Sequence, residues 1–313
     1  MLKEDIFNKV SKICYGTLSL SKLQCSYSMK EKLYLLNYAY DLGINFFDTA
    51  ELYDNYSLIK NFLQDKDREK VFISTKSYSY NRETGKKSLE KALKEMDTDY
   101  VDIFMLHEQE GLSTFKGHYE AVRFFLECKD KGVIKKFGIS THFIKGVEEI
   151  LDLEEIDIIH PIINIDGIGI ADGTRVQMEE SIKKAKTYNK FILSMKPFGG
   201  GHLSSHPVES LKYVKSLDFI DSIAVGMRYK EEIDFNFNLL EKDNILKDEL
   251  YNINKKERKL KIAYWCKGCG QCVEKCNQNA LKMVNGKAEV DFEKCTLCSY
   301  CVSACEEFCI KIV

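Results

Sequence analysis

No stretch of this 313-residue sequence is apolar for long enough to cross a bilayer, and the opening Met1–Phe7 lacks the apolar run of a secretion signal. Both absences point to a cytoplasmic protein that keeps away from membranes. Charge of one sign is also missing: 46 lysines and arginines stand against 48 aspartates and glutamates, with no basic stretch interleaved with aromatics. Nucleic acid is therefore a poor candidate as a partner. The phosphate fingerprint Gly-x-Gly-x-x-Gly is absent, so the usual sequence sign of a dinucleotide or flavin site in an open α/β sheet is lacking. Cysteine is scarce through most of the chain, where only Cys14, Cys25 and Cys128 precede residue 266.

Nine of the 12 cysteines fall between Cys266 and Cys309. In a cytoplasmic chain such crowding indicates metal rather than disulfides. Cys266-x-x-Cys269-x-x-Cys272-x-x-x-Cys276 recurs as Cys295-x-x-Cys298-x-x-Cys301-x-x-x-Cys305, and Ala280-Leu-Lys-Met283 recurs as Cys309-Ile-Lys-Ile312. The segment is an internal duplication. Three thiolates this close can wrap three irons of one cubane, while the fourth, displaced by a turn, projects toward the other half. The expected ligand sets are Cys266, Cys269, Cys272 and Cys305 for one [4Fe-4S] cluster, and Cys295, Cys298, Cys301 and Cys276 for the other. Paired zinc sites are the alternative, but zinc ribbons use isolated cysteine pairs rather than a four-cysteine run. Cys309 takes the place of Ala280 and reads as a small buried residue. From about residue 260 to 313 the sequence resembles the bacterial two-cluster ferredoxins, although Asn277 and Glu306 stand where those proteins carry proline.

Upstream, eight short apolar runs alternate with helix-length segments: Ile13–Leu20, Asn45–Thr49, Val71–Lys76, Val101–His107, Lys136–Ser140, Ile156–Asn164, Phe191–Pro197 and Ser222–Met227. Eight is the number that closes a (β/α)8 TIM barrel, whereas an open doubly wound sheet more often stops earlier. The fold class is therefore α/β: a barrel over residues 1–240, a linker over 241–261 that holds the charged run Lys255–Lys261, and a small α+β ferredoxin-like iron–sulfur domain over 262–313.

Barrel chemistry gathers at the C-terminal ends of strands. There the runs end in Asp48, Lys76 and His107, with Tyr53 five residues beyond Asp48. Taken singly, these read as a helix cap, a solvated strand end, a core histidine and a surface aromatic. As a set, in this order and on these strands, they resemble the catalytic tetrad of the aldo-keto reductases. Gly43–Ala50, Lys131–Ser140 and Lys196–Gly201 are similar to further segments of that family. More narrowly, Gly138-Ile-Ser-Thr-His142 resembles proteins of this kind that carry a C-terminal ferredoxin module.

The resemblance implies an oxidoreductase acting on a small carbonyl or alcohol. Tyr53 would supply the proton to the developing alkoxide, Lys76 would stabilise its tyrosinate, Asp48 would hold Lys76, and His107 would direct the carbonyl oxygen. It also implies NADP or NAD, with Gly16, Thr17 and Ser140 near the nicotinamide ring and the Gly199-Gly200-Gly201 turn near the pyrophosphate. Thr141 and His160 stand where the family usually has asparagine and glutamine, and Met195 replaces a stacking aromatic. Arg228 is left to meet a 2′-phosphate, with Glu231 and Glu232 beside it. His142 and His160 belong near the barrel mouth, while His118, His202 and His206 read as surface or loop residues.

A nicotinamide gives two electrons together and a cubane takes one, so an external ferredoxin or flavoprotein is expected as electron partner. The alternative is an iron–sulfur carrier or redox sensor that uses the barrel as a docking scaffold.

Overall fold

Eight parallel strands, hydrogen-bonded in chain order and closed from the last back to the first, dominate the computed structural model, which describes residues 5–244 and 258–313. They are β1 (Ile13–Gly16), β2 (Phe46–Asp48), β3 (Phe72–Ser77), β4 (Val101–Leu106), β5 (Ile134–Thr141), β6 (Ile158–Pro161), β7 (Phe191–Met195) and β8 (Ser222–Val225). Each falls within or overlaps one of the eight apolar runs. The first ends in a short 3-10 turn at Thr17–Leu20 rather than continuing as strand.

Side chains alternate across a strand, so each strand feeds two cores. Cys14, Phe46, Phe72, Ile103, Met105, Ile158, Phe191, Leu193 and Ala224 fill the barrel interior. Their neighbours Tyr15, Phe47, Ile73, Phe104, Phe137, Ile159, Ile192 and Ile223 face the ring of helices. Ile6, Phe7 and Val10 close the far end, with Phe7 stacked on Phe191 at 4.1 Å between ring centroids. Gly138 is required where β5 meets β6, since a Cβ there would stand 2.1 Å from the Ile158 carbonyl oxygen.

The helices are set by their first turns. Ser28 with Glu31, Asn81 with Thr84, and Thr174 with Gln177 form reciprocal capping boxes at the starts of Met29–Asp41, Arg82–Met96 and Arg175–Thr187. Among the described residues no helix is long and apolar enough to cross a membrane.

The cysteine-rich module begins at β9 (Leu260–Ile262), so it takes in the last residues of the stretch expected as linker; Lys255 to Glu257 of the charged run lie outside the described residues. Here β10 (Leu281–Val284) pairs with β11 (Lys287–Val290), and β12 (Ile310–Ile312) pairs with β9, both antiparallel. The duplication is visible in the backbone: the amides of Ala280 and Cys309 donate to Sγ of Cys276 at 3.3 Å and of Cys305 at 3.2 Å. Cys309 itself is buried, as its alanine counterpart is.

The module packs on the barrel mouth. His202, expected at a surface or loop position, sits in a turn but is buried, its ring nitrogens meeting Ser299 Oγ and the Ile310 carbonyl at 3.0 Å each. Arg258 pairs with Glu232 at 3.3 Å, and Lys261 Nζ donates to the Leu23 carbonyl.

Candidate active site

Period-two alternation places the chemistry. Phe46 points into the barrel and Phe47 out, so Asp48 points in; the same count carries β3 from Phe72 through Ser74 to Lys76, and β4 from Ile103 through Met105 to His107. Asp48 lies opposite Ser74 in the strand register. Lys76 Nζ donates to Asp48 Oδ1 at 2.7 Å, to Oδ2 at 2.6 Å and to the Thr49 carbonyl at 2.9 Å, and Ser74 Oγ donates to Asp48 Oδ1 at 2.5 Å. The pair is buried, with Lys76 2% and Asp48 6% exposed.

Tyr53 ends a 3-10 turn after β2. Asn55 fixes that loop, accepting from Thr49 Oγ1 at 2.6 Å and donating to the Thr17 carbonyl at 3.1 Å. The Tyr53 ring lies 5.2 Å from Lys76 Nζ and 6.2 Å, edge to face, from the His107 ring. The four side chains expected together do converge.

Their electrostatics differ from the expectation in one respect. Lys76 is hydrogen-bonded to Asp48 and Thr49, and burial, reinforced by Asp48 and Glu108, holds the Tyr53 phenol well above its ordinary pKa. Tyr53 rests as a protonated phenol. Burial, with the charges of Lys76 and Lys196, pushes His107 well below the usual imidazole range, so its ring is neutral. Its Nδ1 is buried without a partner among the described residues.

Tyr53, Asp48, Gly16 and His160 line a cavity of about 190 Å³ at the barrel mouth, whose outer wall comes from Arg258, Lys311, Ile312 and Val313 of the cysteine-rich module. His160 donates through Nδ1–H to the Leu193 carbonyl, and its Nε2 is 4.0 Å from Asp48 Oδ2; burial lowers its pKa to about 4. Met195 and Arg228 also line the cavity.

Several residues expected around a nicotinamide do other work. Thr17 Oγ1 donates to the Asp48 carbonyl at 2.9 Å, Ser140 Oγ accepts from the Glu108 amide at 2.9 Å, and Thr141 Oγ1 accepts from the Phe143 amide at 2.9 Å. All three are fully buried.

The glycine turn is the larger correction. It lies between β12 and the cavity: Gly200 and Gly201 line the cavity, while a Cβ on Gly200 would meet Phe308 at 3.0 Å and Lys311 at 3.1 Å, and one on Gly201 would stand 1.9 Å from the Ile312 carbonyl oxygen. Gly199 is buried behind them. Arg228 keeps its side chain at the cavity, but its amide donates to Glu232 Oε2 at 2.7 Å, which keeps a carboxylate beside any phosphate. β12 therefore forms one wall of the cavity, and Gly16, Gly200, Gly201 and Arg228 line the rest of it.

The cysteines divide as their spacing suggests. One cavity, of about 210 Å³, is lined by Cys266, Cys269, Cys272 and Cys305, together with Cys309. A second, smaller one is lined by Cys276, Cys295, Cys298 and Cys301. Among the described residues no three His, Cys, Asp or Glu side chains close on a single-ion point. Eight thiols around two spaces, rather than two points, suit clusters of iron and sulfide.

Sequence reasoning passed over Lys196, Phe308 and Lys311. Lys196 follows β7 with φ +57°, a left-handed conformation uncommon outside glycine, and its Nζ is hydrogen-bonded to His142 Nε2. Its signal was a charged residue ending an apolar run. Lys311, between Ile310 and Ile312, carried no signal that it would reach another domain.

Comparison with known proteins agrees with this geometry. The aldo/keto reductase family matches over residues 12–212 and a 4Fe-4S dicluster domain over residues 258–306. The chain is similar to the uncharacterized oxidoreductase YqkF of Bacillus subtilis, at 29% identity over 147 residues, 42% of this chain and 45% of that protein. It is also similar to D-arabinose 1-dehydrogenase of Saccharomyces cerevisiae, at 31% over 139 residues, 40% of this chain and 41% of that protein. These alignments span less than half the length of either relative. Aldo-keto reductase AKR11C1 from Bacillus halodurans, in its holo form, shares the fold, with a TM-score of 0.63 at 19% identity over 79% of this chain and 92% of that one.

Proposed function

Because the chain belongs to the aldo/keto reductase family and carries a 4Fe-4S dicluster domain, we propose that it interconverts a small carbonyl compound and its alcohol at Tyr53, and passes electrons through two [4Fe-4S] clusters. The observation that carries the first half is the convergence of Tyr53 and His107 with the buried Asp48–Lys76 pair, of which Tyr53 and Asp48 line the cavity.

In the direction of reduction, the carbonyl carbon gains electrons and its oxygen gains charge. The Tyr53 phenol, kept protonated by burial, gives its proton to that oxygen. His107, a neutral ring that still offers one N–H, steadies the same oxygen. Lys76 keeps positive charge near the tyrosinate left behind, and Asp48 holds Lys76 in place. A bound nicotinamide would supply the hydride that the carbonyl carbon takes up, the two electrons and one hydrogen that complete the reduction begun by the Tyr53 proton, with Gly16, Gly200, Gly201 and Arg228 of the cavity wall to hold it.

For the second half, we assign one cluster to Cys266, Cys269, Cys272 and Cys305 and the other to Cys276, Cys295, Cys298 and Cys301, supported by the two cavities these sets line. Bound cubanes would supply one-electron storage, and a low-potential ferredoxin or flavoprotein is the partner of matching chemistry.

The decisive experiment is Tyr53→Phe in anaerobically purified protein. Loss of carbonyl reduction with an unchanged fold supports the reading; unchanged turnover refutes it.

A second reading is favoured by one observation, the glycine turn filled by β12. In it the barrel is a docking scaffold for an electron carrier or redox sensor. Mass spectrometry of cofactor released from the purified protein separates the two: bound nicotinamide or flavin favours the enzyme.

A further inference from the structure

Two lysines from different domains meet over one aromatic ring. Lys196, at the end of β7, and Lys311, in the middle of β12, both line the Tyr53 cavity, and their Nζ atoms lie 5.1 and 3.0 Å from the centroid of the Phe308 ring. Among the described residues no carboxylate lies within 4.0 Å of either ammonium. Glu108, whose charge acts on both lysines, accepts from the Tyr78 hydroxyl at 2.5 Å and forms an ion pair with neither. Lys196 reaches only His142 Nε2, and the His142 ring itself packs edge to face on Phe308 at 5.7 Å.

Like charges brought together out of water repel, and an aromatic face offsets only part of that cost. Burial lowers both ammonium groups from their ordinary range, each also lowered by a neighbouring lysine. What the arrangement lacks is an anion. Asp48 cannot serve, being bound to Lys76.

We propose that Lys196 and Lys311 together bind the carboxylate of the substrate, so that this barrel acts on a 2-oxo acid or the corresponding 2-hydroxy acid. The assignment rests on Tyr53 being the carbonyl site. A carboxylate held between the lysines leaves the adjacent carbonyl carbon inside the same cavity of about 190 Å³, which Tyr53 also lines. Specificity then depends on docking, because one lysine comes from the barrel and the other from the cysteine-rich module.

The test is calorimetric titration of the full chain, purified anaerobically with its clusters, using oxalate and its neutral counterpart oxamide as probes. Oxalate should bind and oxamide should not. Lys196→Met and Lys311→Met should each weaken oxalate at least tenfold, and Lys311→Arg should restore most of the loss. Visible cluster absorption checks that the module is intact, and hydrogen exchange at residues 310–312 checks in each variant that it stays docked. Turnover of a 2-oxo acid and binding of oxalate are measured separately in each lysine variant, so loss of turnover and loss of anion binding are distinguished. If no carbonyl compound is reduced while oxalate binds through both lysines, the carboxylate site stands and the proposed reaction fails. Equal binding of oxalate and oxamide, or oxalate binding unchanged in both methionine variants, overturns the site. So does weakening of inorganic phosphate or NADPH, but not of oxalate, in those variants.

Discussion

Gly201 and Ile312 approach so closely that a single added methyl group has no room: a Cβ on Gly201 would stand 1.9 Å from the Ile312 carbonyl oxygen. The backbone there is also left-handed, with φ +96°. Gly201→Ala is therefore expected to destabilise the docked arrangement by at least ~1 kcal/mol and to free β12 from the barrel. Hydrogen exchange at residues 310–312 should accelerate while amides in β1 to β8 keep their protection. Unchanged exchange at Ile312 would contradict the close approach.

Tyr53→Phe removes only a hydroxyl from a buried ring. Carbonyl reduction should fall by at least ~10²-fold, the usual contribution of a positioned proton donor. The melting temperature should stay within a few degrees, read by circular dichroism on the same preparation.

Lys76→Met behaves differently, because it strands the Asp48 carboxylate 6% exposed and without its counter-ion. Removing one partner of such a buried pair costs about 3–5 kcal/mol. The variant should lose activity and stability together, and Lys76→Met with Asp48→Asn should recover stability but not turnover. Denaturant titration of the three proteins distinguishes this from a purely chemical role.

The cysteine sets predict that anaerobically purified protein is brown and holds about eight irons, and that each first-repeat or second-repeat set fails as a unit across the duplication. Cys305→Ala should cost the cluster of Cys266, Cys269 and Cys272, leaving about four irons, and Cys276→Ala should cost the other. Zinc at two equivalents with no visible absorption would rule out cubanes. In a visible-absorption titration, NADPH alone should leave the clusters oxidised, whereas dithionite should bleach them.

Burial, with Lys76 nearby and Glu108 opposing, lowers Lys196 to about 8. Below that pH the ammonium is charged and can hold a carboxylate; above it the proton and the attraction are lost. The groups facing it are His142, Lys76, Lys311 and Glu108. The histidine is neutral through this range, since burial and the two lysines push it well down. Oxalate affinity should be flat near pH 6 to 7 and fall by about tenfold per unit above the lysine's pKa. An affinity that rises with pH would exclude Lys196 as the cation.

Much of this molecule could be read along the chain because strands expose a two-residue period. Asp48, Lys76 and His107 end apolar runs at inward positions, and together with the family resemblance that forecasts their meeting. Local spacing likewise separated the two cysteine sets. What could not be read was the filling of the glycine turn. Three glycines announce that a backbone passes close by, but not which one, and here Ile312 lies 111 positions further along the sequence. His202 was misread for the same reason: its partners Ser299 and Ile310 belong to another domain. Lys311 is one polar residue in an alternating strand until docking turns it toward the barrel.

The filled turn also makes the cysteine-rich module a ligand of its own barrel. A segment held on the same chain can present itself at an effective concentration on the order of millimolar, so β12 stays part of the cavity wall that a free dinucleotide would meet. Any event that loosens or tightens β12 would change that wall without altering a residue in the barrel.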